Sequence, residues 1–460
     1  MSTATPPLSF EQDQKEQLAL WNALLGTVQH FFGGVAGLFH GVSDPRHPAY
    51  ITYSLPTVLW AGVLLFLCRL GARRQIALLL RNNGGVAAKF AALFELAACP
   101  HGDTLNALCK RLDPAEMQES VTRLNERLIR NKVLDGFRLL GIYFVVAIDG
   151  TQVLTFAQRH CPHCLTRTQQ GQTVYYHPVL EAKLVLPNGF TFSLLTEFIE
   201  NAGENPSKQD CELKAFARLS ERLKQRFPRL PLCLSLDALF ACGPVFARCA
   251  QYGWQYMIVL KAEDLPKVHQ EFEALARLSP ADHLSVRSGP QGRIQQELRW
   301  VNEIAYVDSE RREHRLSVLE CRETKPGDGG QLKTTRFLWV SSFTLKDKNV
   351  LDLANQGGRI RWQEENQGFN VQKNGGFALE HPYSQDYTAA KNFYFLLQMA
   401  HLLGQLLLLG SLLRRAFPKG LGSAQNLARR LLEVWRNLRA SAEELRRILS
   451  ARFQIRFDSS

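Results

Sequence analysis

Three acids stand in settings that suit metal-assisted chemistry: Asp149, Asp237 and Glu365. Asp149 closes the apolar run LLGIYFVVAID, and Asp237 closes LPLCLSLD. A carboxylate at the exposed end of a core strand is costly unless it is hydrated, paired or bound to a cation. Glu365 lies in RWQEEN, a segment of helical texture. Carboxylates gathered from neighbouring elements repel one another and call for a divalent ion, and hard oxygen donors select Mg2+ or Mn2+. Two such ions about 4 Å apart activate an attacking oxygen and stabilise a leaving one during phosphodiester cleavage. Any one of these acids, taken alone, reads as a surface residue. Their strand, strand, helix order sets the three apart.

A second pattern is Cys161-Pro-His-Cys164, preceded by His160. A CxxC is half of a zinc site, and no second half stands at ribbon-like spacing, so a structural Zn2+ and a plain turn are both open. The remaining cysteines are scattered through apolar runs. They read as small buried hydrophobes in a reducing compartment rather than as a disulfide framework.

The elements that must carry these residues follow from the patterning. Residues 136–264 read as the first part of an α/β core: the strand ending at Asp149, then strand-like runs at 173–176 with Val179, at 182–186 and at 189–195 in hairpin spacing. A helix over 208–227, the strand ending at Asp237, a helix over 244–252 and a strand over 255–260 follow. Residues 265–345 read as a β-rich insertion, with a helix near 267–277 and strands near 297–307, 315–323 and 335–341. Residues 346–415 read as the second part of the core, carrying Glu365. Residues 1–135 are helix-rich. Within them a short helix over 105–112 precedes one that starts at Asp113-Pro114-Ala115-Glu116. That pair is either a packing unit or a groove reader.

The chain has 460 residues, 45% apolar and 21% charged, which excludes disorder and predicts several domains. Net charge is +12, a prior for a polyanionic partner. The tail, 416–460, reads as a basic helical element with an apolar stripe of Leu427, Leu431, Trp435, Leu438, Leu445 and Leu449. The first residues lack a basic start followed by an apolar core, so no signal peptide is expected. The run 55–67 is too short to span a membrane. The run 393–413 is long enough but carries Gln398, His401 and Gln405, and reads as a buried core helix, so no membrane partner is expected.

Three stretches, AIDGT (147–151), LSLDALFACGPVFARCAQYGWQYMIVLK (234–261) and GRIRWQEENQGFNVQKN (358–374), resemble the DDE transposases of bacterial insertion sequences. The resemblance spans roughly 140–415. It is closest to a branch with a β-rich insertion and a Tyr-x2-Arg-x3-Glu-x6-Lys signature. It implies a ribonuclease H-like mixed sheet flanked by helices. It also implies metal-dependent cutting at transposon ends, then joining of the freed 3′-hydroxyl to target DNA. Asp149 would bridge two ions, with Asp237 and Glu365 each completing one site. Implied partners are double-stranded DNA, both terminal repeats and target, and a second copy of the chain on paired ends. The implied location is bacterial cytoplasm, at the nucleoid. A related nuclease that cuts without joining, and an inactive DNA-binding descendant, share these residues.

Carried over position by position, the signature fits in part. Arg361-x3-Glu365 matches, which selects Glu365 over Glu364. The Tyr position is Gly358, and the Lys position is Gln372, with Lys373 one residue late. Trp362 is a candidate to stack on a displaced base, or a core residue. Lys261 and Lys391 are candidates for phosphate contact, and His381 for a place beside the site. Asn201, Asp210 and Glu212 form a polar cluster that helix capping explains.

Overall fold

The computed structural model describes residues 9–203, 208–279, 281–289, 292–327, 331–451 and 453–457. The start of the polar leader, residues 328–330, the stripe residue Leu449, and Arg452 and Asp458 of the tail lie outside the described residues.

Strand β1, Phe144–Phe156, begins where a tight turn ends. Leu140 and Gly141 both adopt positive φ, and Leu139 bridges back to Tyr143. The apolar run beginning at Leu139 is therefore a turn followed by a strand, and the strand continues past Asp149 instead of ending on it. The continuation follows from pairing. Strands β2 (Leu165–Gln169) and β3 (Gln172–Val185) come next, and β3 runs antiparallel to β1 as far as Phe156↔Tyr175. Strand β4, Thr191–Phe198, pairs antiparallel with β3. Strands β5 (Leu232–Leu236) and β6 (Gln255–Val259) lie parallel to β1 in turn. They are short apolar runs joined through helices, as parallel neighbours require.

The insertion does not form a separate layer. Its strands β7 (His283–Ser288), β8 (Ile294–Val307), β9 (Glu313–Pro326) and β10 (Leu332–Ser341) prolong the same sheet. Strand β10 docks antiparallel on β6 through Trp339↔Val259 and Val340↔Ile258. The path of the mixed sheet is β2-β3-β1-β5-β6-β10-β9-β8-β7, with β4 beside β3.

Side chains alternate across a strand, so β1 feeds two cores. Phe144, Val146 and Ile148 join a large core shared with the helices, whereas Val145 and Ala147 join a second core with Cys233, Met257, Trp339, Leu353 and Ile360. The second core is closed by a helical segment over 347–374, which crosses the sheet.

The large core unites both ends of the chain. Trp435, in helix Ala424–Asn437, meets Trp21 edge-on at 5.1 Å between ring centroids, with Trp60 and Phe90 around it. Lys89 Nζ donates to Leu438 O at 3.0 Å. Arg430 pairs with Asp13 at 3.0 Å and Glu16 at 2.9 Å. The stripe of Leu427, Leu431, Trp435 and Leu438 is thus a buried seam, and the described residues of 9–135 and of the tail from 416 share one bundle. Helix Pro114–Arg130 is part of that bundle. Its Thr122 donates to Leu194 O, while Arg123 and Arg130 pair with Glu119 and Glu126 one turn back, so it is built in as a packing element.

Helix Tyr387–Leu409 is long and apolar enough to cross a membrane, but most of it is buried inside the protein. Its polar residues have internal partners. Asn392 donates to Cys109 O and Leu112 O, and Gln398 and His401 bond to Gln372.

Candidate functional site

The parallel register brings the first two acids together. Ile148 is paired with Leu236 on a strand about 4.8 Å away, and Asp149 and Asp237 are the residues that follow, Asp237 just beyond the end of β5. Asp149 follows Val145 and Ala147 at alternate positions, and Asp237 follows Cys233 and Ser235. Both therefore continue the face covered by segment 347–374. Ser235 Oγ donates to Gly357 O at 2.7 Å and fastens that segment to the sheet. Asp149 Oδ1 accepts from Gly150 N at 2.8 Å, and Oδ2 accepts from Arg361 Nη1 at 3.1 Å. Asp237 Oδ1 accepts from Leu239 N at 3.0 Å, which turns the chain away at the strand end.

Segment 347–374 is not a regular α-helix. Leu353–Gly358 and Glu364–Phe369 have π-type hydrogen bonding, with a 3-10 turn at Arg359–Arg361. Such widened turns re-aim side chains and recur at functional sites. Here they send the two adjacent glutamates apart. Glu365 is exposed and acts electrostatically on Asp149. Glu364 points inward, fully buried, with neither carboxyl oxygen hydrogen-bonded among the described residues. Burial first, and then the nearby Asp149, push the Glu364 carboxyl well above its ordinary range.

The two departures from the signature have steric causes. A Cβ on Gly358 would sit 2.4 Å from the Trp339 ring, so the crossing helix requires glycine where the signature has Tyr. Gln372 is buried and donates to Gln398 Oε1 at 2.9 Å, with His401 Nδ1 at 3.1 Å. Burial pushes His401 down to about 3, so this network is neutral.

Burial raises the Asp149 pKa most, Arg361 opposes it, and Asp237 and Glu365 add to it; the carboxyl stands above its usual range. A fourth acid shares the cluster. Glu212, in the first turn of helix Glu212–Arg226, is raised by burial and then by Asp149 and Asp237. Its carboxylate lies over Gly150, where an added Cβ would meet Oε1 at 2.3 Å. The Asp-Gly pair in AIDGT thus makes room for Glu212. Helix capping does not account for this polar cluster, because Cys211 is the N-cap and no side chain caps the helix. Asp210 pairs with Arg218 at 2.7 Å and accepts from Glu200 N, and Asn201 Oδ1 accepts from Asp210 N. Glu212 was placed with them because a glutamate early in a helix carries no mark of what lies across from it.

The candidate cations divide. Arg361 touches Asp149 directly. Lys261 is exposed after β6, on a loop whose Asp264 feels both Asp237 and Lys261, so it borders the acids. Lys373 turns away to Glu380 at 2.9 Å. Lys391 pairs with Glu200 at 2.6 Å over the Phe198 and Tyr387 rings. His381 packs on Tyr383 and feels Arg73, away from the acids. Trp362 is 56% exposed and lines a groove of about 600 Å³ with Lys325, Lys333, Phe337 and Arg359.

Behind Asp149 lies a buried ion pair. Glu181, its direct partner on β3, accepts from Lys183 Nζ at 3.1 Å, with both side chains fully buried. Tyr394 OH at 2.5 Å and Thr196 Oγ1 also donate to Glu181, and Lys183 stands 4.5 Å from the centre of the Phe369 ring. This polar layer anchors segment 364–369 to the sheet.

Cys161 and Cys164 are joined by His177 from β3, a residue with no motif around it. No protein-family model matches the chain, and no curated protein matches it.

Proposed function

We propose that the chain is a metal-dependent DNA strand-cleaving and strand-transferring enzyme of the DDE transposase type, built on a ribonuclease H-like core. The observation that carries the reading is that Asp149, in contact with Arg361, feels the charges of Asp237 and Glu365, and that Glu212 feels Asp149 and Asp237. The placement of Asp149 and Asp237 on adjacent parallel strands of a mixed sheet flanked by helices supports the ribonuclease H-like assignment.

Carboxylate donors of this kind suit Mg2+ or Mn2+, although among the described residues their oxygens form no three-ligand group within 4.8 Å. Asp149, Asp237 and Glu365 are the residues that would hold the ions, with Glu212 at their edge. When bound, two such ions stabilise charge on the attacking and leaving oxygens of a phosphodiester. The chain's own residues prepare this. Arg361 holds Asp149 in one orientation and offsets the repulsion from its neighbours. The polar layer under Asp149 keeps the strand and the crossing segment in register. Lys333 and Trp362 give the groove at Arg359 a cation and an aromatic face, a pairing that suits single-stranded or distorted DNA, while Arg359 and Lys325 both pair with Glu323.

The test is nicking and joining of DNA that carries the inverted repeats flanking the gene. The wild type should require Mg2+ or Mn2+, and Asp149→Ala, Asp237→Ala and Glu365→Ala should each lower the rate by about 1000-fold or more, some 4 kcal/mol of transition-state stabilisation. Full activity in all three variants refutes the acidic site. Cleavage without joining selects the nuclease, and specific binding without nicking selects the inactive descendant.

A further inference from the structure

Three metal-ligating atoms converge at the outer end of the β1–β3 ladder. Cys161 and Cys164 lie in the turn between β1 and β2, and His177 stands on β3 opposite Leu154. His177 Nε2 is 3.3 Å from each sulfur, and the sulfurs are 3.8 Å apart. A disulfide would need about 2.05 Å, so the pair is a dithiol. The ring nitrogen is equidistant from the two sulfurs, which is the placement three ligands of one ion would have. For tetrahedral zinc, with Zn–S about 2.3 Å and Zn–N about 2.0–2.1 Å, the S···S edge is about 3.8 Å and the S···N edge about 3.5 Å. The observed S···S edge of 3.8 Å equals this value, and the two S···N edges of 3.3 Å are slightly shorter.

The surroundings fit a ligand role better than a packing one. His177 is 1% exposed, and its Nδ1 is buried with no partner among the described residues. The ring is clamped by Tyr387, stacked at 4.0 Å between centroids. Hydrogen bonding alone gives no reason to bury this imidazole against two thiols. Two thiolates and a neutral imidazole, by contrast, cancel the charge of one Zn2+.

We propose that Cys161, Cys164 and His177 bind a zinc ion, with solvent in the fourth position. Among the described residues no fourth His, Cys, Asp or Glu joins the group. The ion would brace a relay toward the acidic site. Asn201 Nδ2 donates to Cys164 O at 2.8 Å, and Asn201 N to His163 O at 3.2 Å. Asn201 Oδ1 then accepts from Asp210 N at 3.2 Å, two residues before Glu212. The zinc site stands on its own ligands and does not depend on the DNA-cleaving reading.

Metal analysis of the full chain, purified from zinc-supplemented cells, tests the proposal. The wild type and Cys211→Ser, which alters an exposed thiol, should each carry one zinc per chain. Cys161→Ser and His177→Ala should lose it. Should those variants misfold, His177→Cys replaces one zinc ligand with another and should keep the ion. Chelator-stripped wild type should retake added Zn2+, with two thiols becoming protected from a thiol reagent, and Co2+ should give a sulfur-to-cobalt charge-transfer band. A zinc-free wild type that takes up no added Zn2+, unchanged zinc in Cys161→Ser, or a Cys161–Cys164 disulfide in freshly isolated protein would each overturn it.

Discussion

Asp149→Asn should move stability and metal response in opposite directions. Asp149 has one cation beside it, Arg361 at 3.1 Å, against Asp237, Glu365, Glu212 and Glu364. Burial is the largest influence on it, and the net effect holds its carboxyl above the usual range. The folded chain therefore binds this proton more tightly than the unfolded chain does. The associated stability is fully present below the unfolded carboxylate value, about 3.9, and is lost as pH rises through the raised folded value. At neutral pH the ionised group opposes folding. Asparagine keeps an oxygen for Arg361 and Gly150 but removes the charge, so the variant should melt higher than wild type in EDTA. A divalent ion that binds only the folded site adds RT ln(1 + [L]/Kd), about 2.7 kcal/mol at a hundredfold excess over Kd. Wild type should show that gain with Mn2+, and less of it at acid pH, where protons compete; the variant should show little at any pH. Scanning calorimetry with EDTA and then with graded Mn2+ reads both effects. A variant that melts below wild type in EDTA, or equal Mn2+ gains in the two proteins, would refute a metal-holding role for Asp149.

Two further outcomes follow from the elements around the site. Lys183→Met strands the fully buried Glu181 without its counter-ion, and should cost about 3–5 kcal/mol in urea unfolding. Adding Glu181→Gln should recover most of that loss, and additive losses would count against the pair. Gly358→Ala places a methyl 2.4 Å from the Trp339 ring and should cost about 1–3 kcal/mol through overpacking. Trp339→Leu in the same chain should relieve it, and an unchanged melting temperature for Gly358→Ala would show that the helix crosses the sheet elsewhere.

Much of the core was legible because local pattern and local structure agree there. LCLSL is continuous, short and apolar, and it is a buried parallel strand. The stripe of Leu427, Leu431 and Trp435 has helical spacing, and it forms a helix. The interruption by a strand-rich segment at 265–345 was also visible. What misled was extrapolation of regular geometry. Regular α-helical geometry would set Arg361 and Glu365 one turn apart, but the stretch passes through 3-10 and π turns. Backbone hydrogen bonding of that kind answers to the sheet beneath, not to residue type. The Leu139 run was read as one strand because apolar continuity does not show a turn held by Leu140 and Gly141.

The sequence by itself singled out the candidate residues: hard oxygen donors on apolar strands, a CxxC, and a basic excess of +12. Tertiary structure decided which of them meet. Asp149 and Asp237 are neighbours because β1 and β5 pair in one register. Glu212 belongs with them because Gly150 leaves space for it, and His177 belongs with the cysteines because β3 folds back beside their turn. Arg430 of the basic tail pairs with Asp13 and Glu16 across the bundle. These meetings join residues far apart in the chain, and their free energy comes from strand pairing and core burial, which leave no periodic trace around the residues themselves.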